Sequence, residues 1–208
     1  MEDQQLWNRA CTFAADVYGA LSPDDRDKLA GLTNSIMQLK REMLSVTFAA
    51  GSGGVCRDCG GECCRYGRYH FSVLDMLACF SANVLPPVPR FENLMDCPFG
   101  TDSGCSLDPG FRPVTCVIFN CERIEELMGV DLKTGMQRSE TLLREAVETA
   151  SLLLGMRVSR PLLLIVQRNY HLKAGLGVKI PPACVLRSCV PTAYWSSDRS
   201  CSSIGFAL

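Results

Sequence analysis

Cys56-Arg57-Asp58-Cys59-Gly60-Gly61-Glu62-Cys63-Cys64 packs four thiols into one short run. A C-x-x-C turn brings two sulfurs to one side of a tight loop, where each can approach a zinc ion at about 2.3 Å. Gly60 and Gly61 follow directly and tolerate the backbone angles of a chain folded closely round an ion. The adjacent pair is different: in an extended strand Cys63 and Cys64 would point to opposite faces. That pair therefore reads as serving two neighbouring centres, one cluster, or one ligand beside one non-ligand.

Working outward, a second set supplies further donors: Cys97-Pro98-Phe99, then Cys105, then Arg112-Pro113-Val114-Thr115-Cys116 and Cys121. The candidate metal ligands are accordingly Cys56, Cys59, Cys63, Cys64, Cys97, Cys105, Cys116 and Cys121. The chain has 13 cysteines, an odd number that suits a complete disulfide set poorly. Its N-terminus, Met1-Glu2-Asp3, shows no basic start followed by an apolar run, so no secretory signal is expected and the protein is placed in the cytoplasm. Reducing conditions there leave metal ligation as the ordinary reason for clustered thiols.

This order of cysteines resembles the CxxCxxxCC (YkgJ-like) family of zinc- or iron-chelating proteins. The likeness covers residues 56–121 and rests on the C-x-x-C-x-x-x-C-C run, Cys97-Pro98-Phe99, the single Cys105, and Arg112-Pro113 leading to Cys116, Phe119 and Cys121. A related pattern occurs in flagellin lysine methylase. The resemblance implies a zinc or iron cofactor, an iron–sulfur cluster included, held by the eight cysteines. It does not carry over methylase activity, since no methyl-donor motif is present. All-thiolate sites suit zinc and iron–sulfur clusters alike. The spacing departs from the bacterial ferredoxin run, although Cys97-Pro98 echoes its final pair.

The flanks read as helix. Leu6, Ala10, Phe13, Val17 and Leu21 share one helical face; Ser22-Pro23-Asp24-Asp25 then reads as an N-cap, a first-turn proline and acidic residues at a new start. Leu29, Leu32, Ile36, Leu39, Met43 and Val46 alternate steps of three and four along the second helix. Gly51-Ser52-Gly53-Gly54 ends it. Short segments broken by Gly and Pro follow from Val55 to Cys121, with one short helix expected from Ser72 to Cys79. Residues 134–155 form a clear helix with Leu143, Ala146, Val147 and Ala150 on one face, a Glu140–Arg144 pair and Gly155 as its stop. Another helix is expected from Pro161 through Leu164, Ile165, Arg168 and His171.

The expected fold is thus mainly α, with a helical hairpin and C-terminal helices around an irregular cysteine-rich metal-binding module. Its divisions are 1–54, a helical hairpin; 55–126, the cysteine-rich module; 127–180, C-terminal helices; and 181–208, a poorly ordered tail. The apolar stretch Ala150–Val166 is interrupted by Gly155, Arg157, Arg160 and Pro161 and is too short to span a membrane.

Other thiols and polar groups read more plainly. Cys11 and Cys79 lie among apolar neighbours and are expected to be buried structural thiols. Cys184, Cys189 and Cys201 belong to the tail. His70, six residues after Cys64, is of a type that can ligate a metal, yet eight cysteines already make two tetrahedral sets, so it is not expected to be needed as a ligand, and His171 reads as a packed or surface residue. Arg112 is expected to neutralise the thiol-rich site or to cap a carbonyl. Residues 55–126 carry six Lys/Arg against ten Asp/Glu, which disfavours a nucleic-acid zinc finger. The expectation is a cysteine-ligated zinc or iron protein, structural or electron-carrying, whose helices bind a protein partner. The alternative is a metal- or cluster-dependent protein-modifying enzyme, such as a lysine methylase-like activity.

Overall fold

The computed structural model describes residues 2–92, 97–101 and 104–167. The fold is mainly α. Helix α1 (Glu2–Gly19) leads to α2 (Pro23–Ala49), whose start is as expected: Ser22 caps it by accepting from the Asp25 N–H at 3.1 Å, and Pro23 opens the first turn. Arg26 closes the joint by donating to the carbonyls of Tyr18 and Gly19 at 3.2 and 2.7 Å.

The two helices then take different partners. Helix α1 lies on α4 (Val73–Ser81), whereas α2 packs along α7 (Val130–Leu154) and also touches α4. The apolar faces read from sequence are turned by about one residue in both cases. In α1 the deep positions are Trp7, Ala10, Cys11, Ala14 and Tyr18, while Leu6, Phe13 and Val17 sit at the margin. In α2 the buried line runs Leu29, Thr33, Ile36, Lys40, Met43 and Thr47.

Lys40 and Thr47 are the surprise of that line. Lys40 Nζ donates to Asp75 Oδ1 at 2.7 Å, and both side chains are almost fully buried. Asp75 also closes the capping box of α4: its Oδ2 accepts from the Ser72 N–H and hydroxyl at 2.9 and 2.6 Å, and Ser72 Oγ accepts from the Asp75 N–H. One carboxylate therefore both starts α4 and ties it to α2. A buried charge that keeps its partner is tolerated; one that loses it is costly.

Helix α4 is the centre of the molecule. Every residue from Val73 to Cys79 is buried, which explains a run apolar on all faces. Trp7, Phe71, Phe91 and Phe99 meet edge-on beside it, with Trp7 ring centroids 5.2–6.4 Å from the other three. The chain after α7 returns to its start: Val73 and Leu74 donate to Arg160 and Val158 carbonyls, and the Leu162 N–H to Phe71. Residues 162–167 begin the helix expected after Pro161; Arg168, His171, Cys184, Cys189, Cys201 and the 181–208 tail lie outside the described residues. Helix α7 starts at Val130, earlier than expected, and ends at Gly155, which takes the left-handed conformation at φ 60°. No helix among the described residues is long and apolar enough to cross a membrane.

Candidate metal centre

The eight candidate cysteines sit on or beside the short elements between α2 and α7. Helix α3 (Ser52–Asp58) carries Cys56, and Cys59 caps its end. The turn closes as the C-x-x-C spacing suggests: Gly61 N–H donates to Cys56 O at 3.0 Å, and Cys59 Sγ lies 3.5 Å from the same carbonyl. Gly60 and Gly61 both adopt positive φ, 64° and 72°, angles that a side chain would strain.

A 3₁₀ helix η1 (Glu62–Tyr69) then carries Cys63 and Cys64. They are not in extended chain, so the opposite-face argument does not apply in its first form. Successive side chains on a 3₁₀ helix are about 120° apart, yet the Cys64 thiol stays within hydrogen-bonding reach of Cys63. A two-residue hairpin, β1 (Gly100–Thr101) with β2 (Gly104–Cys105), joins Cys97 to Cys105: the Gly100 N–H donates to Cys97 O at 3.0 Å, and Gly100 pairs with Cys105. After a single 3₁₀ turn, η2 (Pro109–Phe111), Cys116 lies in α5 (Val114–Ile118), and Cys121 caps α6 (Glu122–Glu126).

Two neighbourhoods result. Helix α3 contacts α6, which brings Cys56 and Cys59 toward Cys121. The Cys56 thiol titrates above its usual range through burial first, then the charges of Cys63, Cys59 and Cys121, with Arg112 opposing them. The other neighbourhood is built on Gly67. A Cβ there would stand 2.5 Å from Cys97 Sγ and 3.2 Å from Cys97 Cβ, so only glycine lets η1 lie against Cys97. Cys116 is pushed up by burial and then by Cys105, Cys97 and Cys64. Cys97 is raised by burial and Cys105, against two backbone N–H groups. Cys64 belongs to both: after burial, its neighbours are Cys63, Cys97 and Cys56. Cys64 and Cys116 are exposed as residues, so water screens part of these effects.

All eight thiols thus fall into one region, although they come from separate elements. The donor type suits a soft cation. As placed, however, no three Cys, His, Asp or Glu side chains among the described residues converge closely enough to hold an ion.

Cys11 and Cys79 are buried in the helical core, away from this region; Cys79 Sγ donates to Asp75 O at 3.4 Å, and burial raises its pKa to about 12. Arg112 does what was expected in both senses, donating to Leu107 O at 3.3 Å while its charge favours the Cys56 thiolate. It also covers the Phe48 ring at 5.2 Å, a stacking role.

Two contacts were not read from sequence, that of His70 with Cys116 and that of Gly67 with Cys97. His70 ends η1 with Nδ1 3.2 Å from Cys116 Sγ, and burial lowers its pKa. Its place six residues after Cys64 was visible, but the remote Cys116 was not. Gly67 carries no motif of its own; only its approach to Cys97 reveals it. No protein-family model, characterised protein or solved structure matches the chain.

Proposed function

We propose that this chain is a cysteine-ligated zinc- or iron-binding protein, with a central centre that is structural or electron-carrying. The observation that carries the reading is that Cys56, Cys59, Cys63, Cys64, Cys97, Cys105, Cys116 and Cys121 are free thiols that are half-buried or exposed, several of them close enough to raise one another's pKa, while Cys11 and Cys79 are buried in the apolar core. The cysteine order, which resembles that of the CxxCxxxCC (YkgJ-like) proteins, would imply the same eight ligands. Zinc would cross-link the short segments, and an iron–sulfur cluster would add one-electron transfer.

The chain's own residues prepare for this. Glycines at 60, 61 and 67 remove the side chains that would block close packing, Arg112 offsets negative charge, and the Lys40–Asp75 pair anchors the element that follows η1. Metal binding then contributes folding free energy to a region with little core of its own. Leu127, Val130 and Leu152 are exposed apolar side chains near or on α7, which supports a protein partner on the helical side.

Thiol labelling tests the reading. Metal-free protein under anaerobic conditions should show its 13 cysteines to a thiol reagent after unfolding. Refolding with zinc or ferrous iron should protect the eight named cysteines against labelling, as mapped by peptide mass analysis. Equal labelling with and without metal would overturn it.

A further inference from the structure

We propose that the groove between α2 and α7 docks a basic amphipathic helix of a protein partner, with one large apolar side chain seated between Met43 and Met136 and its lysines or arginines facing Glu42 and Asp131. This deepens the protein-partner part of the reading above and does not depend on the metal centre.

The groove has a volume of about 270 Å³ and is lined from α2 by Glu42, Met43 and Val46. From α7 it is lined by Asp131, Leu132, Gly135 and Met136, among others. Leu132, Gly135 and Met136 stand three and four residues apart and so share one helical face. Met43 and Met136 are buried, Val46 is half-buried, and Leu132 is 46% exposed at the lip. Gly135 keeps the groove open. It lies inside α7, where glycine costs about 1 kcal/mol relative to alanine, and a Cβ there would meet nothing within 4 Å. No described neighbour requires the missing side chain, which leaves room for a close approach to the backbone.

Size and charge together select the occupant. At about 270 Å³ the groove falls below the roughly 300–1,000 Å³ typical of small-molecule sites, yet it can take one leucine- or phenylalanine-sized side chain. Methionine walls adapt their shape to such an insert. The lining carries two exposed carboxylates, Glu42 on one helix and Asp131 on the other, and no basic side chain. Neither joins an ion pair among the described residues; the Glu42 carboxylate accepts from the Gln38 amide at 2.9 Å. Two such carboxylates beside an apolar floor complement an apolar side chain flanked by cations, and they repel nucleic-acid or lipid phosphate. Cations and an apolar anchor presented at helical spacing is the way an amphipathic helix fills a groove.

The probe is a synthetic helical peptide of leucine and lysine, added to the full chain carrying methyl-labelled methionine, with the same peptide bearing glutamate for lysine as the control. Saturable binding of the lysine peptide that weakens with salt and shifts the Met43 and Met136 methyl signals is the expected result. Gly135→Met fills the groove and should weaken that binding at least roughly tenfold, as loss of a central anchor does. Helix content and metal content should stay those of wild type, because the added side chain enters open space; failure of the groove is thereby separated from failure of the metal centre. Glu42→Lys combined with Asp131→Lys should reverse the preference between the two peptides. Absent binding of the lysine peptide, equal binding of both peptides by wild type, or binding that Gly135→Met leaves unchanged overturns the proposal. So does a wild-type dimer in sedimentation that Gly135→Met abolishes, since the occupant would then be a second copy of this chain.

Discussion

Gly67→Ala is the most informative single change, because it adds one methyl group where the structure leaves no room. The new Cβ would sit 2.5 Å from Cys97 Sγ, 3.2 Å from Cys97 Cβ and 3.6 Å from Cys97 Cα. An ordinary contact needs about 3.5–4.0 Å, so the sulfur must retreat by about 1 Å. Cysteine has only one side-chain torsion, and its Cβ is also crowded, so the retreat falls partly on the backbone. Metal–ligand distances tolerate only about 0.2 Å. The substitution should therefore cost roughly 1–3 kcal/mol in packing strain and release metal from the centre that contains Cys97. Zinc stoichiometry and competition with a chromogenic chelator, together with urea unfolding, would read both effects. Gly53→Ala is the control: nothing lies within 4 Å of its added Cβ, and it sits in α3, so a gain of up to about 1 kcal/mol is expected. If Gly67→Ala held the same zinc with the same affinity, Cys97 would not be a ligand in the manner described.

Lys40→Met leaves Asp75 buried and unpaired, and should destabilise the fold by about 3–5 kcal/mol in urea melts; a loss below about 1 kcal/mol would show that the pair is not buried as placed. Cys59→Ser and Cys116→Ser should each lose metal in elemental analysis, whereas Cys11→Ser and Cys79→Ser should keep it and cost only about 1 kcal/mol in packing. The pattern reversed would remove the ligand assignment. Metal-free protein should lose stability as pH rises from about 9. Cys79, with a folded pKa of about 12, stays protonated while the unfolded chain ionises near the ordinary thiol pKa of about 8.5. The folded state then binds more protons, and stability falls by roughly 1.4 kcal/mol per pH unit for that thiol until about pH 12. Thermal melts between pH 8 and pH 10 should show this fall in wild type and less of it in Cys79→Ala; identical slopes would refute it.

Much of the helical frame could be read from the chain. The Ser22-Pro23 start, the Ser72–Asp75 capping box, the Gly155 stop and the Leu143, Val147 and Ala150 face of α7 are local signals, set by neighbours in sequence, and the structure contains all of them. The faces of α1 and α2 were displaced because hydrophobic periodicity counts apolar residues only. It cannot see that Lys40 is neutralised by a carboxylate 35 positions away, or that Thr33 satisfies its hydroxyl on Leu29 O at 2.9 Å. With those groups satisfied, polar side chains occupy the deepest line, and Leu32, Leu39 and Val46 move to its edge.

The candidate centre divides in the same way. The C-x-x-C turn and its glycines were legible because they are local. The hairpin that links Cys97 to Cys105, the approach of Gly67, and the meeting of His70 with Cys116 across 46 positions depend on tertiary packing.

Metal content measured on full-length protein, purified anaerobically without a metal-affinity tag, tests the thiolate centre most directly. Zinc or iron at one or more equivalents per chain is expected, colourless for zinc thiolate and brown for an iron–sulfur cluster. Cys59→Ser and Cys116→Ser should both reduce it. Substoichiometric zinc and iron in the wild-type chain, with all eight thiols free to react in the folded state, would contradict it.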